Sequence, residues 1–144
     1  MIWLILIVVV VCVSGYLLGN RGQSLTEYKG YLVGGLYSTK HGRGLYKVVK
    51  ILAVDSFSAH IRMYNGTYGS RPSSIEPSTL SFGFTADDLG NPEALRRKLA
   101  ENIGMGHVPI SWSGFIESEP VLIVRVSVSE DELEGYRLYK KRIH

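Results

Sequence analysis

The chain has 144 residues, 45 % hydrophobic and 20 % charged, with a formal net charge of +3. Every one of the 16 Lys and Arg and 13 Asp and Glu lies at or beyond Arg21, so the averages combine an uncharged first segment with a domain of about 124 residues. These figures exclude a multidomain enzyme, a disulfide-stapled module built on the single Cys12, and a disordered or coiled-coil chain.

Ile2 to Leu18 reads IWLILIVVVVCVSGYLL, interrupted only by Ser14, Gly15 and the Tyr16 hydroxyl. As helix it spans roughly 26 Å, near the lower limit for a bilayer core of about 30 Å, and in lipid a helix satisfies every backbone polar group within the segment. A single transmembrane anchor over residues 1–18 is therefore expected. Trp3 and Tyr16 stand near its two ends, where amphipathic rings favour the interfaces. A cleaved secretory signal, with Val13, Ser14 and Gly15 as the cleavage site, is the competing reading; no positive residue precedes the apolar run, as such a signal requires. Arg21 and Lys29 follow the segment, so the positive-inside tendency places the domain on the cytoplasmic side of a bacterial inner membrane, the periplasmic side being the alternative.

Residues 19–24 (GNRGQS) read as a short linker, and residues 25–144 as one β-rich α+β interaction domain, either SH3-like or a bent antiparallel sheet, with two helices. Its charge is uneven. Arg21 to Arg71 carries 8 basic and 2 acidic residues, whereas Pro72 to His144 carries 8 basic and 11 acidic. The basic half lies next to where anionic headgroups would be.

The first half reads as a three-stranded meander. Tyr31 to Ser38 is aromatic and aliphatic, KHGRG (Lys40 to Gly44) is a turn, and Leu45 to Asp55 is a long strand. Ala59 to Tyr64 alternates, with Ala59, Ile61 and Met63 on one face and His60, Arg62 and Tyr64 on the other. Asn65-Gly66 signals a turn before a loop to Pro77.

In the second half, Asn91-Pro92 opens a helix that Gly104 stops, and its Leu95, Leu99 and Ile103 are expected to face the sheet. Val121 to Val128 reads as a strand with Leu122, Val124, Val126 and Val128 buried and Arg125 and Ser127 exposed. Ser129 and Glu132 form a capping box for a terminal helix from about Glu130 to Arg142, acidic at its start and basic at its end.

Signs of catalysis are weak. His41, His60, His107 and His144 have no ligand-type neighbour at helical spacing, Cys12 sits at membrane depth, and no nucleophile elbow occurs. Gly42-Arg43-Gly44 reads as a turn and not a phosphate cradle. No enzyme activity, cofactor, metal, nucleic acid or small-molecule substrate is therefore expected. The nine tyrosines stand out: Tyr37, Tyr46, Tyr64 and Tyr68 at outward strand positions and Tyr136 and Tyr139 on the last helix suit interface contact, with core packing as the alternative.

HIRMYNGTYGSRPSSIEPSTLSFG (His60 to Gly83), GMGHVPISWSGFIESEPVLI (Gly104 to Ile123) and VSEDELEGYRLY (Val128 to Tyr139) resemble a family of small bacterial proteins, some of which look like the immunity partners of polymorphic toxins. The resemblance implies a non-enzymatic α+β protein-binding domain. Joined to an anchor, such a domain is expected to be an accessory subunit docked on an integral membrane complex in the bilayer, an energy-transducing assembly being one example; the alternative is an immunity protein that neutralises a toxin. The expected membrane contacts are Trp3, Tyr16 and Arg21, and the expected protein contacts are Tyr46, Arg62 and Tyr64.

Overall fold

The computed structural model of the chain describes residues 25–144. The expected anchor and linker, with Trp3, Tyr16 and Arg21, lie outside the described residues. Among the described residues no helix is long and apolar enough to cross a membrane.

The domain is α+β, built on a five-stranded antiparallel sheet. A small hairpin of β1 (Glu27–Tyr28) and β2 (Tyr31–Leu32) comes first, turning through Lys29 and Gly30, both at positive φ. The expected meander follows as β3 (Gly35–Lys40), β4 (Tyr46–Val54) and β5 (Ser58–Met63). β6 (Val108–Ser111) adds to β5 and β7 (Val121–Arg125) adds to β3, giving the order β6-β5-β4-β3-β7. The helices are α1 (Ala86–Gly90), α2 (Pro92–Ala100), α3 (Trp112–Glu117) and α4 (Glu134–Ile143), with 3-10 turns at Pro77–Thr79 and Asp131–Leu133.

Both faces of the central strands are covered, so β4 is buried almost without a break, its Lys47 and Lys50 included. On the first face Tyr37, Val49, Ile51, Ala59 and Ile61 pack against Trp112 and Phe115 of α3. Tyr28 stacks on Trp112 at 4.8 Å between ring centroids, Tyr31 meets Phe115 edge-on at 5.1 Å, and the Trp112 indole N–H donates to Asp55 O at 2.8 Å. On the second face Leu36, Val48 and Tyr64 form a smaller core with Tyr68, Ile75, Leu80, Ile123 and Val126.

Four expectations change. The strand expected over Tyr31 to Ser38 is broken at Gly34, whose φ of 83° no extended residue adopts. Two further helices form, because Thr85 and Asp88 make a capping box for α1 and Ser111 Oγ accepts the Gly114 N–H of α3. In α2 the Asn91 cap is as expected, but no residue is buried and Leu99 is 65 % exposed; the helix rests on α1 through Lys98–Asp88 and does not face the sheet. In β7, Leu122 and Val124 are exposed while Ile123 turns to the second core. The cause is a register shift between Leu36 and Tyr37 that leaves Ile123 as an extra residue and breaks the simple alternation.

Gly34 combines a positive φ with a close backbone approach. Its N–H donates to Ile51 O at 2.7 Å, its carbonyl accepts from Val126 N–H at 2.9 Å, and a Cβ there would overlap Val126 O. Gly34→Ala is predicted to lower stability by about 2 kcal/mol or more, combining the left-handed backbone cost with that overlap. An unchanged urea midpoint would show that β7 is not pinned at this residue.

Candidate functional site

The second face carries two polar networks behind its apolar core. Lys50 of β4 is buried, and its Nζ donates to both carboxylate oxygens of Glu132 at 2.9 Å and to Ser127 O at 2.7 Å. Arg62 stands opposite Lys50 in β5; its Nη1 donates to Glu132 Oε1 at 3.3 Å, its Nε to Gly106 O at 3.3 Å, and its guanidinium lies 4.1 Å from the Phe82 ring centroid. Glu132 also caps the terminal segment, accepting the Ser129 N–H at 2.8 Å. Burial opposes ionisation of Glu132, but the donors Lys50 and Ser129 and the charge of Arg62 outweigh it and hold the carboxyl below its ordinary pKa.

The second network is a chain of Asp55, His60 and His107. His60 is 0 % exposed, with Nε2 2.8 Å from Asp55 Oδ2 and Nδ1 3.0 Å from His107 Nε2. A carboxylate only accepts, so His60 Nε2–H donates to Asp55, while His60 Nδ1 and His107 Nε2 share the second hydrogen bond. Burial favours protonation of Asp55, yet the His60 hydrogen bond and the N–H groups of Phe57 and Ser58 prevail and lower its pKa. Burial and neighbouring His60 hold His107 below its ordinary 6.5. The order resembles a general-base relay, but α4 roofs it. Gly135 packs its backbone on His107 Cβ, and the Tyr136 and Tyr139 rings lie 4.6 and 5.1 Å from His60. The chain thus acts as a seat for α4. Among the described residues no group of three or more His, Cys, Asp or Glu is placed to hold a metal.

The expected protein contacts are brought together on this second face, but as internal ties. Tyr64 is 8 % exposed, packed with Leu36 and Val48, and burial pushes its hydroxyl pKa up. Arg62 is held in the Glu132 network. Tyr46 is half-buried under the Arg71 guanidinium, 4.7 Å from its ring centroid, and bridges Tyr68 through paired backbone hydrogen bonds of 2.9 and 2.8 Å. The assignment of these side chains to one face is correct, whereas their expected exposure is not, because the connections after β5 and β7 fold back over them. Tyr37, also expected outward, is buried on the first face with its hydroxyl accepting the Leu32 N–H at 2.9 Å.

Solvent is met by apolar surface elsewhere, on β7. Val121, Leu122 and Val124 are 49, 44 and 38 % exposed. Among the described residues β7 pairs only with β3, so its outer edge is free. At its end Val33, Arg125, Val126, Ser127 and Val128 line an open groove of about 480 Å³. Alternation alone does not find this surface, because the bulge at Ile123 is what turns Leu122 and Val124 outward.

Removing Glu132 strands a buried ammonium, so Glu132→Ala is predicted to cost about 3 kcal/mol in urea unfolding at neutral pH; a loss below about 0.5 kcal/mol would show the pair to be dispensable. Acid should unfold the domain in a defined window. The pKa values of His107, Glu132 and Asp55 are all depressed by folding, so below each ordinary value the unfolded chain binds the proton first and stability falls. The decline begins near the ordinary histidine value of 6.5 and steepens through the carboxylate range. His107→Gln should flatten only its upper part, and a stability flat from pH 7 to 5 in the parent chain would refute the assignment.

No family model, no curated protein and no solved structure matches the chain.

Proposed function

We propose that the chain is a membrane-tethered, non-enzymatic accessory module that binds an extended segment of a larger membrane complex along the free edge of β7. The observation that carries this reading is a strand with one free edge whose Val121, Leu122 and Val124 are all exposed. A strand edge offers unpaired N–H and C=O groups, and an apolar one without lysine or proline is a template for strand addition. Backbone hydrogen bonds then supply affinity, while alternate side-chain positions and the groove beside Arg125 supply selectivity.

In this reading the apolar segment from Ile2 to Leu18 is the tether and Trp3, Tyr16 and Arg21 its interfacial contacts, with the domain on the cytoplasmic face of a bacterial inner membrane. A short linker keeps β7 near the bilayer, where subunits of a membrane complex present their loops. The second-face residues Tyr46, Arg62 and Tyr64 support binding indirectly, by holding the connections that leave β7 uncovered.

The test is photo-crosslinking in native membranes from a full-length chain bearing a crosslinking side chain at residue 122. The expected result is an adduct with an integral membrane subunit, reduced about tenfold by Val124→Lys. This exposed substitution should change stability by no more than about 0.5 kcal/mol. No adduct, or an adduct only with a soluble toxin, overturns the proposal.

A further inference from the structure

The first face holds a second buried lysine, and this one has no acid. Lys47 of β4 is 2 % exposed, the largest side chain among the fully buried ones. Its Nζ donates to Gly66 O at 3.2 Å and Asn102 O at 3.1 Å, and among the described residues no carboxylate pairs with it. Burial alone lowers its pKa. An ammonium carries three N–H donors, so two backbone carbonyls leave one donor without a partner.

Lys47 also lines a cavity of about 240 Å³. The polar part of that lining is Lys47, Thr39, His41, Ser118 and Lys40, the last already paired with Glu119 at 2.8 Å; the remainder is apolar, with Val49, Ile61, Met63, Val108, Ile110 and Phe115. A few converging polar groups in an otherwise apolar pocket describe a small-molecule site. Cavities of about 150 Å³ lined only by hydrocarbon accept benzene, so this one has room for a six-membered ring or a short branched chain and a carboxylate as well.

Holding two carbonyls is a structural role that a neutral donor fills equally well, and hydrogen bonding to the carbonyls does not neutralise a buried cation. An anion does. The contrast within one strand is direct: Lys50, three residues on and on the opposite face, is neutralised by Glu132, whereas the counter-charge for Lys47 is not supplied by any described residue.

We propose that the Lys47 cavity is a binding site for a small monocarboxylate with an aromatic or short aliphatic body, the carboxylate pairing with Lys47 Nζ and the body packing on Ile61, Met63 and Phe115. This site lies apart from the β7 edge, and its fate does not depend on the partner proposed there.

Benzoate and its neutral counterpart toluene are the probes, titrated into the full-length chain in nanodiscs with methyl-labelled methionine. Met63 lines the cavity while Met105 is exposed, so the two methyl signals separate site binding from non-specific partition. The expected result is a saturable benzoate shift at Met63 alone, with affinity about tenfold or more above toluene. Lys47→Met should weaken benzoate by about tenfold or more while leaving toluene bound, and Val108→Phe should abolish both by filling the cavity. The benzoate-to-toluene comparison on the unaltered chain needs no variant, so misfolding of Lys47→Met leaves the test intact. Absence of a saturable Met63 shift, toluene binding as tightly as benzoate, or a folded Lys47→Met that retains full benzoate affinity each overturns the proposal.

Discussion

The contact between Lys50 and Glu132 is the one on which the second half of the domain depends. A sheet whose middle strands are covered on both sides must attach two separate covers, and the second is made of loops and helix termini with little apolar surface. Glu132 solves this with one carboxylate, which neutralises a buried lysine in β4, meets Arg62 in β5 and caps the segment leading into α4. With that carboxylate seated, α4 lies where Tyr136 and Tyr139 close over His60 and His107. The exposed pairs Lys40–Glu119 and Arg137–Glu130 have no comparable effect, since solvent screens them. Burial makes the difference: the interior pair is expensive to break because neither ion has water to return to.

Local chemistry made some of the architecture legible. The meander of β3, β4 and β5, the KHGRG turn, the Asn91 cap and the Ser129–Glu132 capping box all rest on periodicity or on side-chain-to-backbone bonds within a few residues. What failed depends on contacts distant in sequence. Leu95 and Leu99 have helical spacing, but α2 docks on α1, so the apolar stripe finds no sheet. Leu122 and Val124 have the spacing of one strand face, but a bulge set by the partner strand breaks that alternation. β6 is only four residues long and contains Pro109, so neither length nor propensity marks it.

The polar groups follow the same rule. His60 was placed on the correct face of its strand, yet its partner His107 is 47 residues away and no spacing pattern joins them. Lys47 and Lys50 are the same residue type in the same strand, and the periodicity of two places them on opposite faces. Which of them meets an acid depends on Glu132, 82 residues from Lys50, and therefore on where the chain returns after β7. Pattern gives the two lysines opposite faces; that both faces are covered, and that only one lysine meets an acid, are properties of topology.

The two edges of the sheet are unequal, and the inequality bears on the proposed recruitment. β6 turns directly into α3 at Trp112 and carries Pro109, which lacks an N–H to offer an incoming strand. It is blunted by sequence and by the helix that follows. β7 has neither device: Val121 to Arg125 contains no proline, and its single charged residue, Arg125, donates from Nε to Val33 O at 3.0 Å. An apolar edge left unprotected in a domain that protects its other edge is costly as an aggregation site, unless a partner covers it. Under the proposed tethering, a membrane partner would be met at high effective concentration, which is the condition under which a short strand with a few backbone hydrogen bonds is enough for occupancy.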